Sequence, residues 1–243
     1  MRTDPWTSTV PDAGRDLVLG SACVGCGTAG RVLCVRCAAS LPRHGRVAWP
    51  TPTPPGLAVP YAAGAYDGLL KALVNEHKEH AVFALATPLG RVLSDVVHDL
   101  LLDQRHRPRA GPVLLVPVPS RRSVVRGRGH DPLLRVTREA TSRLRRHGVD
   151  AGVRQLLVPR GRVRDQSLLG AVERAANLAG SMRCRHPVRL SSTVAAALVL
   201  VVDDVLTTGA TVREAQRALE AGGIAVAAVA TVAATRRRFP GGG

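Results

Sequence analysis

The sequence predicts an α/β protein in which a buried, parallel sheet is flanked by helices and a small cysteine-bearing module precedes it. Three observations carry this. Val199–Val202, preceded by Ala195–Leu198, and Val113–Val118 are apolar runs without alternation, the pattern of strands buried on both faces. Segments of helical periodicity lie between and after them. Two Cys-x-x-Cys pairs stand near the start of the chain, outside this pattern.

In chain order, residues 1–20 are polar and irregular. Cys23-Val-Gly-Cys26 and Cys34-Val-Arg-Cys37 follow as two knuckles. Four thiolates suit a tetrahedral structural zinc and leave no coordination position open for catalysis. Paired disulfides are the rival reading, and they suit a secreted chain. Cys184 stands apart and reads as a buried or half-buried thiol. The prolines at 42, 50, 52, 54, 55 and 60 forbid a continuous helix and predict an extended linker. The expected organisation is an irregular N-terminus (1–20), a zinc ribbon (21–45), a Pro-rich linker (46–60), the main domain (61–235) and a basic tail (236–243).

Tyr61–Tyr66 reads as a short strand, and Gly68–Val74 opens a helix with Leu69, Leu70, Leu73 and Val74 on one face. Asn75–His80 reads as a solvated polar turn rather than a metal site of Glu76, His77 and His80. Ala84–Asp103 has a helical apolar stripe through Leu85, Leu89, Val92, Val96 and Leu100. The strand Val113–Val118 ends in Pro119-Ser120-Arg121, placing Ser and Arg where ligands sit in open parallel sheets. Asp131 caps the next helix, with Pro132 in its first turn and an end near Arg146. Leu156–Val158 is strand-like, and the Arg160–Ser167 segment carries Arg160, Arg162 and Arg164, fit to close over a polyphosphate. Val212–Ala221 reads as a helix with Val212, Ala215 and Leu219 inward, and Ile224–Ala234 as the last strand.

Composition sets limits. No apolar run approaches the roughly 20 residues a membrane span requires. Residues 1–20 carry Asp4, Asp12 and Asp16 and no apolar signal core, so a cytoplasmic protein without membrane insertion is expected. The 34 basic against 18 acidic residues leave a net charge of +16, which favours polyanions such as nucleic acid or phosphorylated ligands. All but Lys71 and Lys78 of these cations are Arg, a bias that genome composition also produces.

Val199–Thr211 carries the chemistry. Adjacent carboxylates, Asp203 and Asp204, accept hydrogen bonds from vicinal sugar hydroxyls, while a hydroxyl-rich loop opening a helix cradles a phosphate. A sugar phosphate is implied. These residues resemble the phosphoribosyl pyrophosphate (PRPP) signature of type I phosphoribosyltransferases. With the Cys23/Cys26/Cys34/Cys37 cluster, Val116-Pro-Val-Pro, Arg126-Gly-Arg-Gly-His-Asp, Asp165-Gln166 with Arg174 and Asn177, and a basic residue at Lys78, the chain resembles the ComF family. Those proteins join a zinc ribbon to a type I phosphoribosyltransferase-like domain and are linked to competence and DNA uptake. The resemblance implies that Asp203 and Asp204 bind the ribose, that Thr207, Thr208, Gly209, Ala210 and Thr211 bind the 5′-phosphate, and that Ser120 and Arg121 bind pyrophosphate. It implies structural Zn, Mg bound with PRPP, and single-stranded DNA or DNA-uptake proteins as partners. The reaction expected is phosphoribosyl transfer to an unidentified acceptor, and the alternative a non-catalytic protein that senses PRPP, handles single strands or binds a partner.

Overall fold

The computed structural model describes residues 22–103, 111–120, 131–160, 180–185, 194 and 196–235. Strands β1 (Arg46–Val47), β2 (Pro60–Ala62), β3 (Val113–Pro117), β4 (Ala151–Val153), β7 (Leu198–Leu206) and β8 (Ala228–Ala234) form a six-stranded sheet in the order β1-β2-β8-β7-β3-β4. Every pairing is parallel except β1 with β2. β5 (Leu157–Pro159) and β6 (Met182–Cys184) make a separate antiparallel pair. The helices are α1 (Val35–Ala39), α2 (Gly68–Glu79), α3 (Ala86–Leu102), α4 (Pro132–Arg146) and α5 (Ala210–Glu220). Among the described residues no helix is long and apolar enough to cross a membrane.

The apolar runs become the central strands because both their faces are covered. All five residues of β3 are buried, and Val199, Leu200, Val201 and Val202 are each at most 2% exposed. The acid pair does not end its strand: β7 continues through Asp203 and Asp204 to Leu206, with Asp203 still in register with Thr231 of β8. Helix α4 starts as expected, Asp131 accepting from the Leu134 amide at 3.1 Å with Pro132 behind it.

Two expectations are corrected. Asn75–His80 is not a solvated turn: α2 runs through Glu79, and His77 is buried with its ring nitrogens 3.1 Å from Val82 O and 3.2 Å from Pro132 O. Tertiary contact turns one polar residue of that run inward. The strand expected from Ile224 starts only at Ala228, because the Ile224 amide donates back to Leu219 O at 3.0 Å and closes the end of α5. The proline-rich stretch is extended but bound to the sheet domain. Gln216 accepts from the Ala58 amide at 2.9 Å and donates to Gly56 O at 3.0 Å, and Arg213 donates to Pro55 O at 2.9 Å.

The cysteine module is docked as well. A Cβ on Gly25 would lie 2.7 Å from Leu69 Cδ1 of α2 and 2.9 Å from Cys37 Sγ, so a larger residue would displace Leu69 and crowd the sulfur cluster. Arg91 of α3 donates to Ala38 O at 3.0 Å, and Cys23, Leu33 and Leu41 belong to the same apolar cluster as the sheet.

Candidate functional site

The chain leaves β3 toward β4 and leaves β7 toward β8, so the strand order reverses between β3 and β7. A crevice forms outside the carboxyl ends of parallel strands at such a switch point, and ligands collect there. Ser120 follows β3 on one side of it, and Asp203–Thr211 lie on the other.

On the β7 side, Asp203 and Asp204 are adjacent residues near the carboxyl end of the strand, and their carboxyl groups interact with each other. Asp204 turns to α2, where Lys78 Nζ donates to its Oδ2 at 2.6 Å. Burial works against the charge of Lys78, but Asp204 outweighs it and the lysine pKa is raised. Among the described residues no cation pairs with Asp203 directly, and the charge of Lys78 only partly offsets its burial. Its Oδ1 accepts the Asp204 amide at 2.8 Å, and burial, reinforced by the Asp204 charge, raises its carboxyl well above the ordinary range. Tyr66 stands at the same corner, donating to Asn75 Oδ1 at 2.6 Å, and its phenol is raised by burial and by Asp204.

The loop after β7 is Thr207-Thr208-Gly209, and Ala210 and Thr211 already lie in the first turn of α5. Gly209 caps that helix in the left-handed region, φ 76°, with no side-chain cap; Thr208 Oγ1 lies 3.4 Å from the Ala210 amide. The start of α5 thus lies beside three threonines, at a helix end where an anion is favoured by both free amides and the helix dipole. Gly209 is also covered: a Cβ there would lie 3.0 Å from Pro50 Cγ and 3.3 Å from Leu57 Cδ2 and Pro54 Cδ.

On the β3 side, Ser120 donates to Asp131 Oδ1 at 3.4 Å. Both line a cavity of about 260 Å³ with Gln155 and Arg185, roofed by β5. Glu214 of α5 holds that β5–β6 pair in place, accepting from the Met182 amide at 2.9 Å and from Arg217. Arg121, the Arg126–His130 run, Arg162, Arg164, Asp165, Gln166, Arg174 and Asn177 lie outside the described residues.

The four knuckle cysteines come together: their Sγ atoms all lie within 4.8 Å of one another. Cys26 and Cys34 sulfurs are 3.6 Å apart, far beyond the roughly 2.05 Å of a disulfide. The Cys34 amide points at Cys23 Sγ (3.3 Å) and the Cys37 amide at Cys34 Sγ (3.4 Å), as thiolates require. Cys26 is lowered to about 5 by the Thr28 hydroxyl and backbone together with its sulfur neighbours. The donor set fits structural zinc, with four soft ligands, amide support and no open position. Sequence reasoning missed the cation beside it: Arg36, whose pKa is raised by a hydrogen bond to Cys26 and by the charges of Cys26, Cys34 and Cys37. It also missed Glu214, Arg213 and Gln216, whose partners no local pattern announces.

A mostly parallel sheet flanked by helices, with an acid pair and a hydroxyl-rich loop at its switch point, defines a phosphoribosyltransferase-like α/β domain. Residues 154–239 match the phosphoribosyl transferase domain family, a segment that holds β5, β6, β7, α5 and β8. No curated protein matches the chain.

Proposed function

We propose that this protein binds PRPP with Mg²⁺ at the switch-point crevice and transfers its phosphoribosyl group to an acceptor nucleophile. The observation that carries the reading is the run from Asp203 to Thr211: two carboxylates near the carboxyl end of a central strand, followed by the Thr207-Thr208-Gly209 loop and the start of α5. Asp203 and Asp204 accept from the vicinal ribose hydroxyls. The Thr207–Thr211 amides and hydroxyls hold the 5′-phosphate, and Ser120 and Arg121, at the other lip, hold pyrophosphate. Binding such a polyanion beside Asp203 and Asp204 needs compensation, which Lys78 supplies on the Asp204 side.

The acidic donors fit a hard divalent cation only in part, since Asp204 is already neutralised by Lys78. Asp203 and Asp204 would stand near a Mg²⁺ held chiefly by phosphate oxygens and water, which would supply charge neutralisation for departing pyrophosphate. The protein's own share is to orient the sugar and stabilise developing charge. Calorimetry tests the reading: saturable Mg-dependent PRPP binding that is lost in Asp203→Ala/Asp204→Ala supports it, and binding unaffected by those changes refutes it.

A second reading is a non-catalytic PRPP sensor, favoured by Asp204 being engaged to Lys78 so that ligand has to reorganise an ion pair. Product analysis in the presence of PRPP and candidate acceptors separates the two. The ComF resemblance adds a role in competence and DNA uptake and a cytoplasmic site of action. The formal charge of +16 supports a polyanionic partner such as single-stranded DNA.

A further inference from the structure

The loop after β7 is flanked by hollows on both sides, and only the β3 side enters the reading above. On the other side, β1 runs antiparallel to β2, with Arg46 opposite Ala62, so the residues just before β1 are carried past the carboxyl end of β2 onto the ligand-binding edge. Arg43, His44 and Arg46, all exposed, line a cavity of about 420 Å³ there. Its opposite wall is small, made by Ala63, Gly64 and Ala65 at the end of β2. Asp99 fixes this corner by accepting the Gly45 amide at 2.7 Å, and lies 3.4 Å from His44 Nδ1.

A second cavity of about 200 Å³, walled by Trp49, Pro50 and Leu206, shares Val47, Ala48, Ala234 and Thr235 with the first. The two therefore adjoin and are described together as one trough. Its inner end reaches the phosphate loop, since Thr235 Oγ1 lies 3.4 Å from Thr207 O and Pro50 covers Gly209. The combined space is in the range of small-molecule sites, about 300–1,000 Å³. It has a cationic outer rim, a thin Ala/Gly wall and an indole beside the inner end.

We propose that this trough binds a nucleoside phosphate, with its phosphate on Arg43 and Arg46 at the outer rim and its flat base against Trp49 at the inner end, while the loop after β7 stays available to PRPP. Guanidinium groups recognise phosphate by paired hydrogen bonds, and an aromatic face stacks on any base. The ligand is a free nucleotide or the 5′-phosphorylated end of a strand. It goes beyond the phosphoribosyl reading and does not require it, because the rim and the loop are separate sets of residues.

The test uses the full chain with Trp6→Phe, so that Trp49 is the remaining indole, titrated with AMP in the presence and absence of saturating Mg–PRPP. AMP should quench Trp49 in both conditions, and Arg43→Ser/Arg46→Ser should raise its Kd tenfold or more while PRPP affinity, read by calorimetry, stays unchanged. Both arginines are exposed, so the double variant should keep the parent Tm, which is checked first. Displacement of AMP by PRPP together with an unchanged AMP Kd in the double variant overturns the proposal, since AMP then sits in the phosphate loop. Absence of AMP binding at millimolar concentration also overturns it. An octadeoxyadenylate with and without a 5′-phosphate separates the sources. Tighter, arginine-dependent binding of the phosphorylated strand than of AMP assigns a strand end, and the reverse order a free nucleotide. Should PRPP itself fail to bind, the arginine dependence of AMP binding still decides the trough.

Discussion

Replacing Gly209 by alanine strains the phosphate loop twice. Gly209 has φ 76°, where an L-residue pays roughly 1–2 kcal/mol for its Cβ. The new methyl also meets Pro50 Cγ at 3.0 Å and Leu57 and Pro54 carbons at 3.3 Å, and the hydrogen bonds from Arg213 and Gln216 keep those neighbours from backing away. Overpacking of that kind costs about 1–3 kcal/mol, so Gly209→Ala should lose about 2–5 kcal/mol in all. For a chain of this size that is a fall in Tm of about 5–15 °C. Gly223→Ala is the control: its φ is 81° but nothing lies within 4 Å of the added carbon, so it carries the conformational part alone. Scanning calorimetry and denaturant titration on both variants give the comparison. Equal losses at the two glycines would refute the reasoning, because they would mean that the proline-rich strap does not press on the loop.

Other outcomes follow from the same residues. Lys78→Met should cost about 0.5–1 kcal/mol, modest because Lys78 Nζ and Asp204 are both partly solvated. A raised lysine pKa stabilises the fold below its unfolded value and ceases to do so as pH rises through the folded one, so parent and variant stabilities should converge above the ordinary lysine range. Asp203 is an acid raised by burial, so its ionisation costs stability as pH climbs past the ordinary carboxylate range. Asp203→Asn should therefore gain on the order of 1 kcal/mol at neutral pH while weakening PRPP binding, opposite signs that thermal shift and calorimetry read independently. Glu214→Ala, which orphans the Met182 amide and leaves Arg217 only its bond to Met182 O, should cost about 1–3 kcal/mol and loosen the β5–β6 pair, as amide exchange at Met182 would report. Metal analysis should give about one zinc per chain. Chelation should lower the Tm of the whole chain, because Cys23 and Leu33 share the sheet's apolar cluster.

The central strands were legible because burial on both faces leaves an unbroken apolar run, as in Val113–Val116 and Val199–Val202, and no turn residue competes. Helix α4 was legible to the residue because its cap, Asp131 with Pro132, is local chemistry. What escaped was set by distant partners. His77 looks solvated in its polar hexad, and the contact that buries it, Pro132 O, is 55 residues away. The strap reads as a linker from its prolines, yet Gln216 and Arg213 hold it from 158 to 160 residues on. β1 and β4 are too short to show a period and exist because β2 and β3 offer an open edge. In the candidate site, Asp203, Asp204 and the threonines are readable as a group because they are contiguous. Lys78 stands out in the sequence only by resemblance, and its partner 126 residues on is visible only in the fold.

The strand order also dictates when the sheet can assemble. β2 and β3 each pair in parallel with strands from the last fifth of the chain, Pro60 with Val229 and Val113 with Leu198. During synthesis the α2–α3–α4 layer and the β3–β4 pair can form early, but the two strands that complete the middle of the sheet emerge last. Until then β2 and one edge of β3 present unpaired amides and apolar faces, the state most exposed to misassociation. A nascent chain that has not yet reached residue 228 lacks β8, so β2 has only β1 beside it and one edge of β7 is open, although Asp204, Arg213 and Gln216 are already there to meet Lys78 and the strap.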